Sequence, residues 1–364
     1  MTSKAKLPDA VDEILRTRTA AETFSGGVHI TQGSRELFAG TYGLASHTWG
    51  IPITMTTRFD TASLTKLFTA VAALQLIDQG AFSLDTAVIP YLDLRGTVIS
   101  ETVNVFQLLT HSSGIGDDAE EEEGEDYADL WTSKPNYSVT ETVHFLPQFA
   151  REPANFPPGE GCRYCNCGYV LLGLMIERAA GKPYRRVARE RIFKPAGMAD
   201  SDFFRLDRCV PRVTEGCDPT RDELGKVIEW KKNIYSFPPI GSPDSGAHVT
   251  AADLDRFLRA VQAGQLLSPE LTERFFTPQI HYKDRDGWKM DYGLGMWFYV
   301  EPDGHVLYCQ KEGYNAGVSA VMRYFFDSDV NLVILSNMAD GAWAPTREIH
   351  EIIVQACQGD AVPN

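Results

Sequence analysis

Three short patterns place reactive side chains at spacings that suit acyl-transfer chemistry. The patterns are S-x-x-K, Y-x-N and K-x-G, formed in turn by Ser63 and Lys66, Tyr164 and Asn166, and Lys311 and Gly313. A serine hydroxyl is a weak nucleophile at pH 7 and needs a base within hydrogen-bond reach. A lysine can act as that base where burial and a neighbouring cation lower its pKa, and a tyrosine can relay the proton. The patterns therefore predict a serine nucleophile activated by a lysine and a tyrosine.

The S-x-x-K pattern occurs twice, at Ser3 to Lys6 and at Ser63 to Lys66. The first copy lies in the N-terminal segment, where chain ends fray, and we interpret it as accidental. The second copy leads into an apolar helix predicted over residues 65–79, which places its serine and lysine one turn apart on one face. The N-terminus of a helix also presents free N–H groups to an anion that forms there.

The elements that must position these side chains follow from hydrophobic periodicity and turn residues. Helices are predicted over residues 9–22, 65–79, 104–109, 139–150, 166–180, 184–192, 251–263 and 346–357, and strands over 27–31, 36–42, 292–300, 306–311, 318–325 and 331–336. Strands at both ends of the chain with helices between them predict an α/β protein, α+β by topology, with one antiparallel sheet built from both termini. We expect a sheet-and-helix lobe from residues 1–60 and 285–364, a mainly helical lobe from 61–284, and an active site between them.

Composition limits the partners. The 364 residues carry 34 Lys and Arg against 49 Asp and Glu, a net charge of −15, which repels polyphosphates and anionic lipid headgroups. No apolar run reaches the roughly 18 residues of a membrane-spanning helix, and no secretory signal is recognisable at the N-terminus. We therefore expect a cytoplasmic protein that binds a small acyl substrate, without nucleic acid, membrane or cofactor; the oligomeric state is left open.

Two further clusters have a plain interpretation. The acidic run Asp117 to Asp126 reads DDAEEEEGED and predicts a solvated loop, because such dense like charges cannot pack together. Cys162, Cys165 and Cys167 are predicted to be core-filling thiols and not a metal site, which would need four ligands.

His111 and His248 invite a catalytic-triad hypothesis, but for His111 we favour a buried histidine with satisfied nitrogens.

The three patterns, in this order along the chain, resemble the penicillin-recognising serine hydrolases. That family includes class C β-lactamases, DD-carboxypeptidases, family VIII carboxylesterases and D-aminopeptidases. Four more segments are similar to it: Leu108 to Gly114 (LLTHSSG), Pro158 to Gly173, Phe193 to Met198 and Tyr292 to Gly295. The resemblance covers about residues 58 to 336 and implies a β-lactamase/transpeptidase-like fold.

The resemblance also implies a role for each catalytic side chain. Ser63 would be the nucleophile that forms an acyl-enzyme. Lys66 and Tyr164 would share the work of general base, and Tyr164 would later pass a proton to the leaving group.

The remaining positions are implied to bind substrate. Asn166 would offer its amide to the acyl side chain, and Lys311, beside Gly313, would hold a positive charge next to the tyrosine. The backbone N–H groups of the nucleophile and of Tyr314 would form the oxyanion hole. Glu312 departs from the family, which usually has Thr there to bind a substrate carboxylate. An anion at this position would disfavour carboxylated substrates, unless its side chain points to the other face of the strand.

Four functions stay open on this basis. The favoured one is a carboxylesterase acting on small neutral esters. The alternatives within the family are a D-aminopeptidase or amidase, a β-lactamase or DD-carboxypeptidase, and an acyltransferase. A catalytically inactive binding protein is disfavoured because Ser63, Lys66 and Tyr164 are all present.

Overall fold

The computed structural model describes residues 7–285 and 287–359. The N-terminal S-x-x-K pattern at Ser3 to Lys6 lies outside these residues. The centre of the fold is an eight-stranded antiparallel sheet with the order β2-β1-β14-β13-β12-β11-β10-β9. Its strands are β1 (Gly26–Gln32), β2 (Arg35–Tyr42), β9 (Ile280–Arg285), β10 (Trp288–Tyr292), β11 (Trp297–Val300), β12 (Val306–Asn315), β13 (Val318–Phe325) and β14 (Val330–Ser336). Residues from both ends of the chain build the sheet, which confirms the predicted fold class.

Three small two-stranded sheets lie outside it. They pair β3 (Leu44–Ser46) with β4 (Ile51–Pro52), β5 (Phe59–Asp60) with β8 (His248–Val249), and β6 (Cys217–Arg221) with β7 (Val227–Lys232).

The helices cover both faces of the large sheet. They are α1 (Leu7–Ala20), α2 (Lys66–Asp78), α3 (Val88–Leu92), α4 (Val105–Leu109), α5 (Leu146–Phe149), α6 (Asn166–Ala180), α7 (Tyr184–Ala188), α8 (Ala251–Gln262), α9 (Pro269–Phe275) and α10 (Trp343–Gly359). Short 3₁₀ turns span Ala62–Thr65, Glu121–Glu123, Tyr127–Thr132, Asn136–Ser138 and Thr142–Phe145, and a π-helical turn spans Arg189–Phe193.

Alternate residues of the strands belong to two separate hydrophobic cores, one on each face of the sheet. Val321 and Ile334 pack with α1 and α10, whereas Ala320 and Leu335 belong to the cluster that includes α2, α6 and α8. Successive strand side chains point to opposite faces, so a strand covered on both faces is buried throughout. Every residue of β13 is buried accordingly.

Several elements differ from the sequence prediction. The strand predicted over 292–300 is two strands, because Gly293 to Met296 form the turn between β10 and β11. The helix predicted over 139–150 is a 3₁₀ turn followed by the four residues of α5. Strands β6, β7 and β9 were not predicted, since their polar side chains alternate too weakly to give a signal. In residues 7–285 and 287–359 we find no helix with both the length and the apolar character needed to cross a bilayer.

Candidate active site

Ser63 lies in the 3₁₀ turn immediately before α2, and not within a regular helix. Ala62, its neighbour, has a φ of 42°, in the left-handed region that costs energy for a residue with a side chain. The turn is held by hydrogen bonds from the N–H of Ala62 to Oδ1 of Asp60 at 2.7 Å and from the N–H of Thr61 to the carbonyl oxygen of Ala247 at 2.9 Å. These contacts present the half-buried serine side chain to a cavity.

Lys66 is fully buried at the first position of α2, and its Nζ has three partners. It donates to Oδ1 of Asn166 at 2.8 Å and to the carbonyl oxygen of Asp244 at 2.9 Å, and it lies 3.0 Å from Oγ of Ser63, a hydroxyl that can donate or accept. Burial lowers the pKa of Lys66, because the charged form loses its hydration, while the carboxylates of Asp244 and Glu121 oppose this shift. The amine is thus biased towards its neutral form.

Tyr164 lies between two lysines. The ring centroid is 4.9 Å from Nζ of Lys66 and 4.7 Å from Nζ of Lys311. Burial and the nearby carboxylate of Glu121 raise the pKa of Tyr164 well above its ordinary value, whereas a hydrogen bond with Ser63 lowers it. The phenol is held in its protonated form.

A row of buried hydrogen bonds links the backbone next to Tyr164 to the side chain of Lys311. Nδ1 of His111 accepts the N–H of Cys165 at 3.1 Å, and its Nε2 lies 2.9 Å from the hydroxyl of Tyr292. That hydroxyl also accepts a hydrogen bond from Nζ of Lys311 at 3.1 Å. Burial lowers the pKa of His111 well below its usual value, and a proton on Lys311 or Lys66 acts in the same direction. Both nitrogens of this neutral histidine have partners, as expected for a buried histidine.

Asp117 caps the helix that carries Asn166. Its Oδ2 accepts the N–H of Asn166 at 2.8 Å and its Oδ1 accepts the N–H of Cys167 at 2.9 Å, at the N-terminus of α6. Nδ2 of Asn166 donates to Oε2 of Glu121 at 3.1 Å. The position of the amide that contacts Lys66 therefore depends on two carboxylates of the acidic segment.

This corrects the prediction for Asp117 to Asp126. The part from Glu121 onward is exposed, as a solvated loop would be, but Asp117 is buried. A carboxylate can be buried there because two backbone N–H groups and the positive end of α6 compensate its charge. The segment also folds back over the site, where Oε1 of Glu122 accepts the N–H of Tyr164 at 3.0 Å and the hydroxyl of Tyr282 at 2.9 Å.

Gly313 allows β12 to approach the turn that holds Ser63. A Cβ added to Gly313 would lie 2.0 Å from the carbonyl oxygen of Thr61 and 3.2 Å from the backbone nitrogen of Leu64. No side chain fits at that separation. The glycine of the K-x-G pattern is thus required by close backbone packing beside the nucleophile.

Glu312 is placed differently from Lys311. Its carboxylate accepts a hydrogen bond from the side-chain amide of Gln310, two residues earlier on the same face of β12, whereas Lys311 and Gly313 point to the opposite face. Glu312 and Tyr314 still line the cavity. The pairing of β12 with β11 ends at Gln310, so the later residues of β12 have β13 on one side and no strand on the other.

The cavity has a volume of about 530 Å³ and lies directly above Ser63. Two chemical types dominate its lining. The acidic residues are Glu121, Glu122, Glu125, Asp126 and Glu312, and the aromatic residues are Tyr127, Tyr164, Trp297, Tyr314 and Trp343. Lys311 is the single lysine or arginine of this lining; it is buried, and burial lowers the pKa of its amine well below the ordinary value, against the positive charge that was expected there.

The thiols of Cys165 and Cys167 and the imidazole of His248 form no hydrogen bond with Ser63, Lys66 or Tyr164. Cys165 and Cys167 are buried, and burial raises the pKa of each thiol well above its ordinary value. Asp117, Asp118 and Cys167 bring three ligand atoms within 4.8 Å, but both oxygens of Asp117 already accept backbone N–H groups. His248 is buried on β8, next to the ring of Phe204 at 5.7 Å.

Comparisons with known proteins agree with this geometry. The family model described as Beta-lactamase matches residues 11–356. The chain belongs to the beta-lactamase family. Members of this family are serine hydrolases, among them esterases, amidases and penicillin-binding proteins.

The relatives include penicillin-binding proteins and an esterase. The chain is 26% identical over 324 residues to Penicillin-binding protein 4* of Bacillus subtilis, covering 86% of this chain and 68% of the relative. It is 29% identical over 290 residues to Esterase EstB of Burkholderia gladioli, covering 73% and 72%. The crystal structure of a penicillin-binding protein from Bacillus halodurans superposes with a TM-score of 0.85 at 33% identity, covering 93% of this chain and 99% of that one.

The structure brings together the five side chains that the sequence patterns indicate, although they are spread over nearly 250 residues of the chain. They are Ser63, Lys66, Tyr164, Asn166 and Lys311. It adds residues that the patterns did not indicate, namely Asp117, Glu121, Asp244 and Tyr292. The only sequence signal for the first two was their membership of the acidic run. Asp244 acts through its backbone carbonyl, which no side-chain pattern could reveal.

Proposed function

We propose that this protein hydrolyses acyl compounds through an acyl-enzyme on Ser63, and that small esters without a negative charge are its preferred substrates. The observation that carries the proposal is the set of three partners of Nζ of Lys66. Two of them, the side-chain oxygen of Asn166 and the backbone carbonyl of Asp244, can only accept hydrogen bonds. A neutral amine that donates its two protons to these oxygens directs its lone pair at the serine hydroxyl.

The proton then has a defined path. As the Oγ–carbon bond forms, the hydroxyl proton of Ser63 moves to Nζ of Lys66. Tyr164, held as a phenol by burial, donates its proton to the departing oxygen and regains one from Lys66. In the second half of the reaction, water attacks the acyl carbon and gives a proton to the pair of Lys66 and Tyr164. The same pair returns a proton to Oγ of Ser63 as the bond between Oγ and the acyl carbon breaks.

The oxyanion that forms in each half-reaction needs preorganised donors. We assign this role to the backbone N–H groups of Ser63 and Tyr314. The contact of Gly313 with Thr61 supports the assignment, because it brings the strand that carries Tyr314 against the turn that carries Ser63.

The cavity lining supports the choice of substrate charge. Its exposed carboxylates repel a substrate carboxylate, whereas neutral esters meet no such penalty. The same lining favours a second candidate, an amidase for substrates that bear an amino group, because an ammonium would be attracted by these carboxylates.

A substrate panel tests the proposal. Purified protein is assayed with p-nitrophenyl acyl esters, D-aminoacyl p-nitroanilides and nitrocefin, in parallel with the Ser63→Ala variant. We expect the esters to be turned over fastest and the activity to disappear in the variant. Faster turnover of the anilides would identify the amidase instead, and preferred turnover of nitrocefin would contradict the proposal.

A further inference from the structure

We propose that the cavity above Ser63 selects substrates that carry an organic ammonium group close to the scissile acyl bond, in preference to neutral molecules of the same shape. This inference rests on the proposed function, since it concerns the substrate of the same nucleophile. It goes further by assigning the recognition to two features of the residues that line the cavity, which we call its wall. These features are carboxylates that form no ion pair and the faces of aromatic rings.

Three carboxylates of the cavity lining, those of Glu122, Glu125 and Asp126, form no ion pair in the part of the chain that the structure describes. Glu122 accepts from Tyr164 and Tyr282, and Asp126 accepts the N–H of Ala128 at 2.9 Å, all uncharged donors. Glu125 likewise accepts only a backbone N–H, that of Glu120. Their negative charge is therefore directed at whatever occupies the cavity.

The nearby guanidinium of Arg163 is used elsewhere. It donates to Oε2 of Glu120 at 2.5 Å and to Oε1 of Glu123 at 3.0 Å, and neither of these two residues lines the cavity. Arg163 thus pairs with two carboxylates of the acidic segment that do not line the cavity. The members that face the cavity, Glu122 among them, stay free to attract a cation.

Aromatic faces complete the wall. Tyr314 is 54% exposed, and its ring centroid lies 6.3 Å from that of Trp343, which together with Trp297 lines the same cavity. A cation over the face of such a ring is attracted by its quadrupole, most strongly for tryptophan. Exposed aromatic faces next to free carboxylates suit an alkylated ammonium, which is both apolar and charged.

A metal ion is a poorer occupant of this wall. A divalent cation needs several ligand oxygens that converge on one point. Among the described residues, the only group of three ligand atoms within 4.8 Å is Asp117, Asp118 and Cys167, which lies outside the cavity lining. The carboxylates of the wall are dispersed, as the recognition of a bulky organic cation requires.

Matched substrates that differ only in charge test the proposal. Acetylcholine is compared with 3,3-dimethylbutyl acetate, which replaces the quaternary nitrogen by carbon, and hydrolysis is followed by acid release at constant pH. A second pair places the charge on the acyl side: the p-nitrophenyl esters of 4-(trimethylammonio)butyrate and of 5,5-dimethylhexanoate. We expect kcat/KM to favour the cation by about tenfold or more in at least one pair. The preference should shrink as salt screens the exposed carboxylates.

Variants test whether the carboxylates and aromatic rings of the wall cause the preference for the cationic substrate. The double variant Glu122→Gln with Asp126→Asn should bring the cation-to-neutral ratio towards one, because it removes two charges and keeps side-chain shape. Glu123→Gln is the matched control, since it removes one charge from the same segment at a residue outside the cavity lining that pairs with Arg163. Trp343→Leu should also lower the ratio, without any change in charge. Equal kcat/KM values within both pairs, in a protein that hydrolyses them, would overturn the proposal and leave ester hydrolysis intact.

A binding measurement separates this inference from the hydrolytic function. If no ester of either pair is hydrolysed, the proposed esterase function fails, and recognition is measured by the protection of Ser63 from a fluorophosphonate probe. Choline should slow this labelling more than 3,3-dimethylbutan-1-ol at the same concentration. Equal protection by the two compounds, or protection by neither, would overturn the ammonium preference.

Discussion

Asp117 holds the backbone of Asn166 in place, with Oδ2 of the carboxylate 2.8 Å from the N–H of the asparagine. The neighbouring oxygen accepts the next N–H of the helix, that of Cys167. Because Oδ1 of Asn166 in turn accepts a hydrogen bond from Nζ of Lys66, a carboxylate outside the three sequence patterns orients the base that we assign to the reaction.

Asp117→Asn tests this positioning role. The amide keeps one acceptor oxygen but loses the second and the negative charge at the helix N-terminus, so we expect a loss of about 1–2 kcal/mol in stability. We also expect kcat/KM for an ester to fall by roughly tenfold to a hundredfold, because the lysine loses its fixed partner. Thermal unfolding and steady-state kinetics measure the two effects.

A matched control separates positioning from stability. Thr250 caps α8 by accepting the N–H of Asp253 at 3.1 Å, and it does not line the cavity. Thr250→Ala should cost about 1 kcal/mol of stability with kcat/KM unchanged. If Asp117→Asn likewise affected only unfolding, its role would be structural.

Removal of the nucleophile should abolish turnover. We expect Ser63→Ala to lower kcat for any ester by at least about 10³-fold while the fold is retained, because the relay has a single hydroxyl to activate. A fluorophosphonate probe should add one label per chain, at Ser63, as shown by peptide mass spectrometry. Full activity in the variant, or a label on another residue, would contradict the mechanism.

Tyr164→Phe should slow the chemical step with little effect on folding. The change removes the hydroxyl and keeps the ring between Lys66 and Lys311, so we expect kcat to fall by roughly 10²- to 10⁴-fold. Tyr324→Phe is the control, since it removes a hydroxyl that bonds Asp329 at 3.1 Å away from the cavity. Equal kcat values for the two variants would show that the hydroxyl of Tyr164 carries no proton.

The activity should depend on pH through Lys66. Burial lowers the pKa of Lys66, whereas Asp244, Glu121 and Asp117 raise it. Because the neutral amine is the active form, kcat/KM should rise with pH through an apparent pKa below the ordinary value for lysine. Glu121→Gln removes a carboxylate that favours the ammonium, so the acidic limb of the pH profile should move to lower pH. A limb that stayed in place or moved upward would exclude Lys66 as the titrating base.

Glu312 should contribute less to charge selection than the acidic segment. Its carboxylate is bonded to Gln310, on the strand face opposite to Lys311. We therefore expect Glu312→Thr to change the ratio of kcat/KM for carboxylated and neutral esters less than Glu122→Gln does. The comparison uses nitrocefin or a succinate monoester against a neutral ester. A larger effect at Glu312 would return that residue to the substrate-binding position that the family resemblance implies.

The sequence by itself determined the three patterns, the helix over residues 166–180 and the antiparallel sheet built from both ends of the chain. These features depend on neighbouring residues, since periodicity and turn chemistry act over a few positions. Spacing within S-x-x-K is likewise enough to bring Lys66 to Ser63, because the residues are one turn apart.

Only the tertiary structure decided what surrounds these patterns. Asp117 meets Asn166 across 49 residues, and Tyr292 meets His111 across 181. Neither contact follows from local pattern, because each depends on how the acidic segment and the sheet close around α6. The burial that lowers the pKa of Lys66 and the direction of Glu312 depend equally on packing between distant segments. The sequence therefore supplies the reactive groups, and the tertiary fold decides their protonation and the charge of the cavity that they share.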